Sequence, residues 1–119
     1  MRRLLPLATA VVLVLPPSAF AVLSATRVAG TTGPGLTITL KKAGKKVTSL
    51  KAGSYTITVS DKSSNHNFVL TGPGVRNRVI TGLAFTGTKT VTLRLRRGTY
   101  TYYCMPHRAI GMKGTFRVT

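Results

Sequence analysis

Cys104 is the only cysteine of the 119-residue chain, and it opens the array Cys104-Met105-Pro106-His107-Arg108-Ala109-Ile110-Gly111-Met112. The spacing is C-x2-H-x4-M. The only other histidine is His66, far upstream. One thiolate, two imidazoles and a thioether form a soft, mixed donor set. Two histidines and a cysteine in a trigonal plane, with a weak axial methionine, make a blue copper centre for one-electron transfer. The array holds no carboxylate, which argues against calcium, magnesium and manganese. Zinc would accept the two histidines and the cysteine but would leave Met112 without a role. A c-type haem needs C-x-x-C-H, and a thiolate-bridged copper pair needs a second cysteine; the chain has neither. Singly, the cysteine reads as a small buried hydrophobe and Met112 as core filler. Jointly, in a chain with so few such residues, the set favours one copper ion. No open coordination position or acid–base group accompanies it, so the chain reads as an electron carrier and not an enzyme.

Such donors must be gathered by strands. Leu36–Leu40 alternates apolar and polar residues, and Ser54–Ser60 does so most cleanly, with Tyr55, Ile57 and Val59 on one face. His66–Thr71 is strand-like and ends at Gly72-Pro73-Gly74. Thr88–Leu95 alternates again, Thr99–Cys104 puts Tyr100, Tyr102 and Cys104 on one face, and Gly114–Thr119 closes the chain. Asn77–Gly87 is less regular. Turn signals separate these runs, and no stretch has a helical period. Seven or eight short strands predict an all-β, antiparallel Greek-key sandwich. Cys104 would end a strand, with His107 and Met112 in the following loop. Pro106 would stiffen that loop and Gly111 would allow an unusual backbone angle before Met112.

The N-terminus reads as a leader. Arg2 and Arg3 precede an apolar run, Leu4–Leu15, and Ala19-Phe20-Ala21 presents small residues for cleavage after Ala21. Residues 1–21 would be a signal peptide, 22–35 a flexible lead-in and 36–119 the copper-binding domain. Retention as an anchor is the alternative, since Val22, Leu23 and Ala25 extend the apolar character. An exported location, in the periplasm, the cell envelope or the medium, follows. There a lone thiol is a liability unless a metal holds it.

The formal charge is +17, from 18 basic residues and one acid, Asp61. It falls to +15 if Arg2 and Arg3 leave with the leader. Such a field draws anionic partners at low salt. For an exported chain this points to acidic redox proteins or an anionic envelope surface, and not to nucleic acid.

Ser64-Asn65-His66-Asn67-Phe68, Gly98–His107 and Gly111-Met112-Lys113-Gly114 together resemble the cupredoxins, especially the plastocyanin and pseudoazurin branch. The resemblance covers Leu36–Thr119. It implies that His66, Cys104 and His107 are the equatorial ligands and Met112 the axial one. It implies that Asn67 ties the two ligand loops together by hydrogen bonds. It also implies that His107 is the electron port, reaching the surface through an apolar patch. Pro106, Ala109, Ile110 and the Gly72–Val75 turn are candidates for that patch, with Arg108 placed to steer an acidic partner. The better-known photosynthetic members often carry acidic patches, whereas this chain has almost no acid, so their partners do not carry over. A monomer is expected. The rival readings are a copper carrier or buffer of the envelope, and a basic module that binds anionic envelope polymers.

Overall fold

The computed structural model describes residues 3–15 and 25–119. Residues 3–15 are exposed and form no helix or strand. The expected cleavage site at Ala21 lies outside the described residues. No helix among them is long and apolar enough to cross a membrane.

Ten strands follow among the described residues: β1 (Thr26–Thr32), β2 (Ile38–Lys42), β3 (Lys45–Lys46), β4 (Ser49–Leu50), β5 (Gly53–Asp61), β6 (Phe68–Gly72), β7 (Val75–Thr81), β8 (Gly87–Leu95), β9 (Gly98–Tyr103) and β10 (Lys113–Val118). They form two five-stranded sheets, ordered β3-β2-β1-β5-β8 and β4-β10-β9-β6-β7. The expected sandwich is present. Each sheet also holds one parallel pair, β1 with β5 and β4 with β10.

Alternation explains the packing. Tyr55, Ile57, Val59 and Asp61 of β5 are buried while the residues between them are not. From the other sheet, Tyr100 and Tyr102 of β9 point inward. Phe68 stacks on Tyr102 with ring centroids 5.7 Å apart, and Tyr100 stacks on Phe116 at 5.4 Å. These aromatic pairs fill the centre of the core.

Two segments differ from expectation. Residues 26–32, placed in a flexible lead-in by their small polar character, form β1, which lies between β2 and β5. Gly30 explains the disguise. A Cβ there would come within 2.9 Å of the Phe68 ring, so the ring itself fills the position a core side chain would take. The irregular stretch Asn77–Gly87 divides: residues 82–86 form a loop, and as far as Thr81 it belongs to a full strand, β7. Its pairing with β6 shifts register twice, between Phe68 and Val69 and between Leu70 and Gly72. Bulges of this kind break the two-residue period that marks a strand in sequence. Four consecutive residues of β7, Arg76–Val79, are exposed as a result.

Strand direction sorts the loops onto two ends of the sandwich. Thr32 pairs with Asp61, Asp61 with Gly87, Phe68 with Thr81, and Tyr103 with both Val69 and Lys113. The loops at 33–37, 62–67, 82–86 and 104–112 therefore share one end. The turns at Ala43-Gly44, Lys51-Ala52, Pro73-Gly74 and Arg96-Arg97 lie toward the other.

Candidate metal centre

β9 stops at Tyr103, and Cys104 caps a 3-10 turn, Met105–Ile110. The turn is locally determined. Proline sits in its first positions, where a missing N–H costs nothing. Gly111 ends it with φ 97°, a left-handed angle that favours glycine. Backbone bonds then close the loop: Cys104 N–H donates to Met112 O at 3.1 Å and Met112 N–H to His107 O at 3.2 Å. The chain thus doubles back, setting Met112 opposite Cys104 at the base of the loop.

His66 arrives from the β5–β6 loop. Lys62 N–H donates to Thr32 O at 2.9 Å, Ser63 N–H donates to Asp61 Oδ1 at 3.2 Å, and His66 N–H donates to Ser63 O at 3.2 Å. Asn67 joins the two loops: its Oδ1 accepts from Met105 N–H at 2.7 Å, and its backbone oxygen accepts from Thr32 Oγ1 at 3.2 Å.

Three donor atoms converge. His66 Nδ1 and His107 Nδ1 are 3.1 Å apart, and Cys104 Sγ lies 3.7 Å from the first and 3.5 Å from the second. A triangle with these sides has its circumcentre about 2.0 Å from each corner, the length of a metal–imidazole bond. His66, Cys104 and His107 are the metal-competent cluster among the described residues. The three atoms have no other hydrogen-bond partner among the described residues, so nothing competes for their lone pairs. The donor set fits copper: nitrogen and thiolate in one plane, with the soft Met112 side chain buried at the same loop base. Exposure separates the four residues. His66, Cys104 and Met112 are at most 3% exposed, whereas His107 is only half-buried.

Pro106, Arg108, Ala109 and Ile110 are exposed around His107, and Ile110 retains 66% of its free surface. The Gly72–Val75 turn does not join them. Tyr100 OH donates to Pro73 O at 2.6 Å, which fixes that turn beside the start of β9. Cys104 lies at the other end of the strand, about 20 Å away at ~3.3 Å per residue. β6 itself separates the turn from His66, since the strand leaves the metal end at Phe68 and reaches the turn at Gly72. Leu36, Leu83 and Met105 are instead the other exposed apolar residues at the Cys104 end. Met105 was legible from its place between two candidate ligands; Leu36 and Leu83 needed the topology. Arg108 lies over Tyr103, its guanidinium carbon 4.2 Å from the ring centroid.

Known proteins share this fold. Reduced rusticyanin superposes with a TM-score of 0.58 at 23% identity, covering 78% of each chain. Auracyanin B gives 0.53 at 25% identity, over 80% of this chain and 89% of its own. Dithionite-reduced auracyanin from the photosynthetic bacterium Roseiflexus castenholzii gives 0.54 at 23%, over 81% and 98%. The model of copper binding proteins of the plastocyanin/azurin family matches residues 42–119, which include all four candidate ligands. With that match over most of the chain, and a two-histidine, one-cysteine triangle able to hold a single copper ion, this protein belongs to the plastocyanin/azurin family of copper-binding proteins.

Proposed function

We propose that this protein is an exported blue copper carrier of single electrons, with His66, Cys104 and His107 as the strong ligands and Met112 as the axial one. The observation that carries the reading is the triangle of His66 Nδ1, His107 Nδ1 and Cys104 Sγ, closed by backbone bonds across the ligand loop. Bound copper supplies a one-electron couple. Cys104 and the histidines hold one ligand geometry because their loops are pinned by Asn67, Thr32 and the Met112–Cys104 pairing. A site that rearranges little loses little energy when the charge changes. His66, Cys104 and Met112 keep water out, and half-buried His107 offers the short route to the surface.

Electron exchange would occur at the apolar end, where Ile110, Met105 and Pro106 surround His107. Contacts of this kind are small and brief. The overall positive field would speed the approach of an acidic redox protein, and Arg108 and Lys62 would meet its carboxylates at the rim. The Arg2-Arg3 and Leu4–Leu15 pattern supports export. Burial of Cys104 and Met112 disfavours the rapid metal exchange that a copper carrier or buffer needs.

A titration with Cu(II), followed in the visible, tests the assignment. The expected result is an intense copper–thiolate band that saturates at one equivalent and is absent from Cys104→Ser. A band that survived in Cys104→Ser would sink it. For the port, Ile110→Asp is expected to slow electron exchange about tenfold while leaving the band in place. An unchanged rate would move the contact elsewhere.

A further inference from the structure

Asp61 is the only acid among 18 basic residues, and it is buried at the copper end. The basic residues of the opposite end therefore have no side-chain carboxylate to pair with. Exposed Lys42, Lys51, Arg94, Arg96 and Arg97 gather there. Thr26, Lys51, Tyr55 and Arg94 line one shallow cleft, and Thr26, Lys42 and Lys51 line its neighbour. Thr26 opens β1, so the chain enters the domain between these cations. The segment that enters there carries the apolar run Leu4–Leu15, whose leucines and valines are exposed.

We infer that this basic end is a docking surface for an anionic lipid bilayer, with Leu4–Leu15 retained beside it as an anchor rather than cleaved away, and that docking turns the copper end away from the bilayer. Two independent features meet at one place: uncompensated positive charge and the entry of an apolar segment. A soluble polyanion would satisfy the first and leave the second without meaning. Distance gives the surface its polarity. Each cation near an anionic bilayer strengthens binding about fivefold, and the effect fades within about 8–10 Å at physiological salt. A nine-residue strand such as β5 spans about 30 Å. Cations at the copper end would then lie outside the reach of a bilayer that touches the basic end. The outward orientation rests on the copper assignment; the contact itself does not.

The test is flotation of the full-length, copper-loaded chain with vesicles of phosphatidylglycerol and phosphatidylcholine, against vesicles of phosphatidylcholine alone. Partition at least about tenfold stronger to the anionic vesicles is expected, falling as salt rises. Lys42→Gln with Lys51→Gln and Arg97→Gln should weaken it by about twentyfold or more. Lys62→Gln with Arg108→Gln and Lys113→Gln removes as much charge from the copper end and should weaken it less than about threefold. Equal losses in the two triple variants would overturn the proposal, as would equal binding to the neutral vesicles. Stronger binding to soluble polyphosphate than to the anionic vesicles, at equal phosphate, would assign the end to a polymer and overturn it too. The copper–thiolate band reports folding in each variant. If a triple variant loses the band, single Lys51→Gln and Lys62→Gln carry the same comparison. A parent chain without the band would fail the copper reading while leaving the flotation result standing.

Discussion

The two ends of this sandwich obey opposite rules. At the copper end the interior is polar: Thr32, Asp61, His66, Asn67 and Thr81 are the buried polar side chains among the described residues, and all lie there. Its surface gathers the large apolar residues exposed in the domain, of which only Val79 on β7 lies elsewhere, beside a few cations such as Lys62, Arg108 and Lys113. At the other end the interior is aromatic, and the surface carries most of the positive charge. There Tyr100 OH donates to Pro73 O and accepts from Arg96 N–H at 3.0 Å, holding two turns together. Proteins ordinarily bury apolar groups and expose charge. The inversion at one end marks where function overrides stability. Buried polar groups cost energy unless bonded, and here Ser63 N–H, Met105 N–H, Asn67 O and Phe68 N–H supply partners to Asp61 Oδ1, Asn67, Thr32 and Thr81, while Asp61 Oδ2 is buried without a partner among the described residues.

If the two ends are independent, variants at one should leave the other's signal alone. Cys104→Ser should abolish the copper–thiolate band entirely, and copper should then no longer raise the melting temperature, because stabilisation requires binding to the folded state. Asn67→Ala removes the acceptor that fixes Met105, and it should weaken copper binding about 10- to 100-fold by competition with a chelator. Retained affinity would show that the ligand loop is rigid without Asn67. Gly72→Ala would drive a methyl group into the Tyr100 ring, so urea unfolding should report a loss of about 1–3 kcal/mol with the band unchanged. Tyr100→Phe leaves Pro73 O and Arg96 N–H without their partner and should cost about 1–2 kcal/mol, again with an unaltered spectrum. A shifted band in either far-end variant would break the division between the ends.

The parts of the fold legible in sequence are those where side chains alternate without interruption. Tyr55, Ile57 and Val59 announced β5, and Tyr100, Tyr102 and Cys104 announced β9 and the position of the ligand at its end. β1 was hidden because Gly30 contributes an absence that Phe68 occupies. β7 was hidden because its bulges expose Arg76–Val79 in succession. Both failures have one cause: sequence periodicity reports a strand's own side chains, whereas these strands take their shape from a partner.

The metal chemistry was determined by residue type, since two histidines, one cysteine and a nearby methionine leave few ions to choose from. The local loop was determined as well, because Pro106 and Gly111 restrict the backbone wherever the loop is placed. Only the tertiary structure decided that His66 Nδ1 stands 3.1 Å from His107 Nδ1, that His107 alone of the four reaches solvent, and that Leu36 and Leu83 join Met105 and Ile110 at the copper end. Those facts depend on strand order and direction. Long-range pairings set both, and no local pattern encodes them.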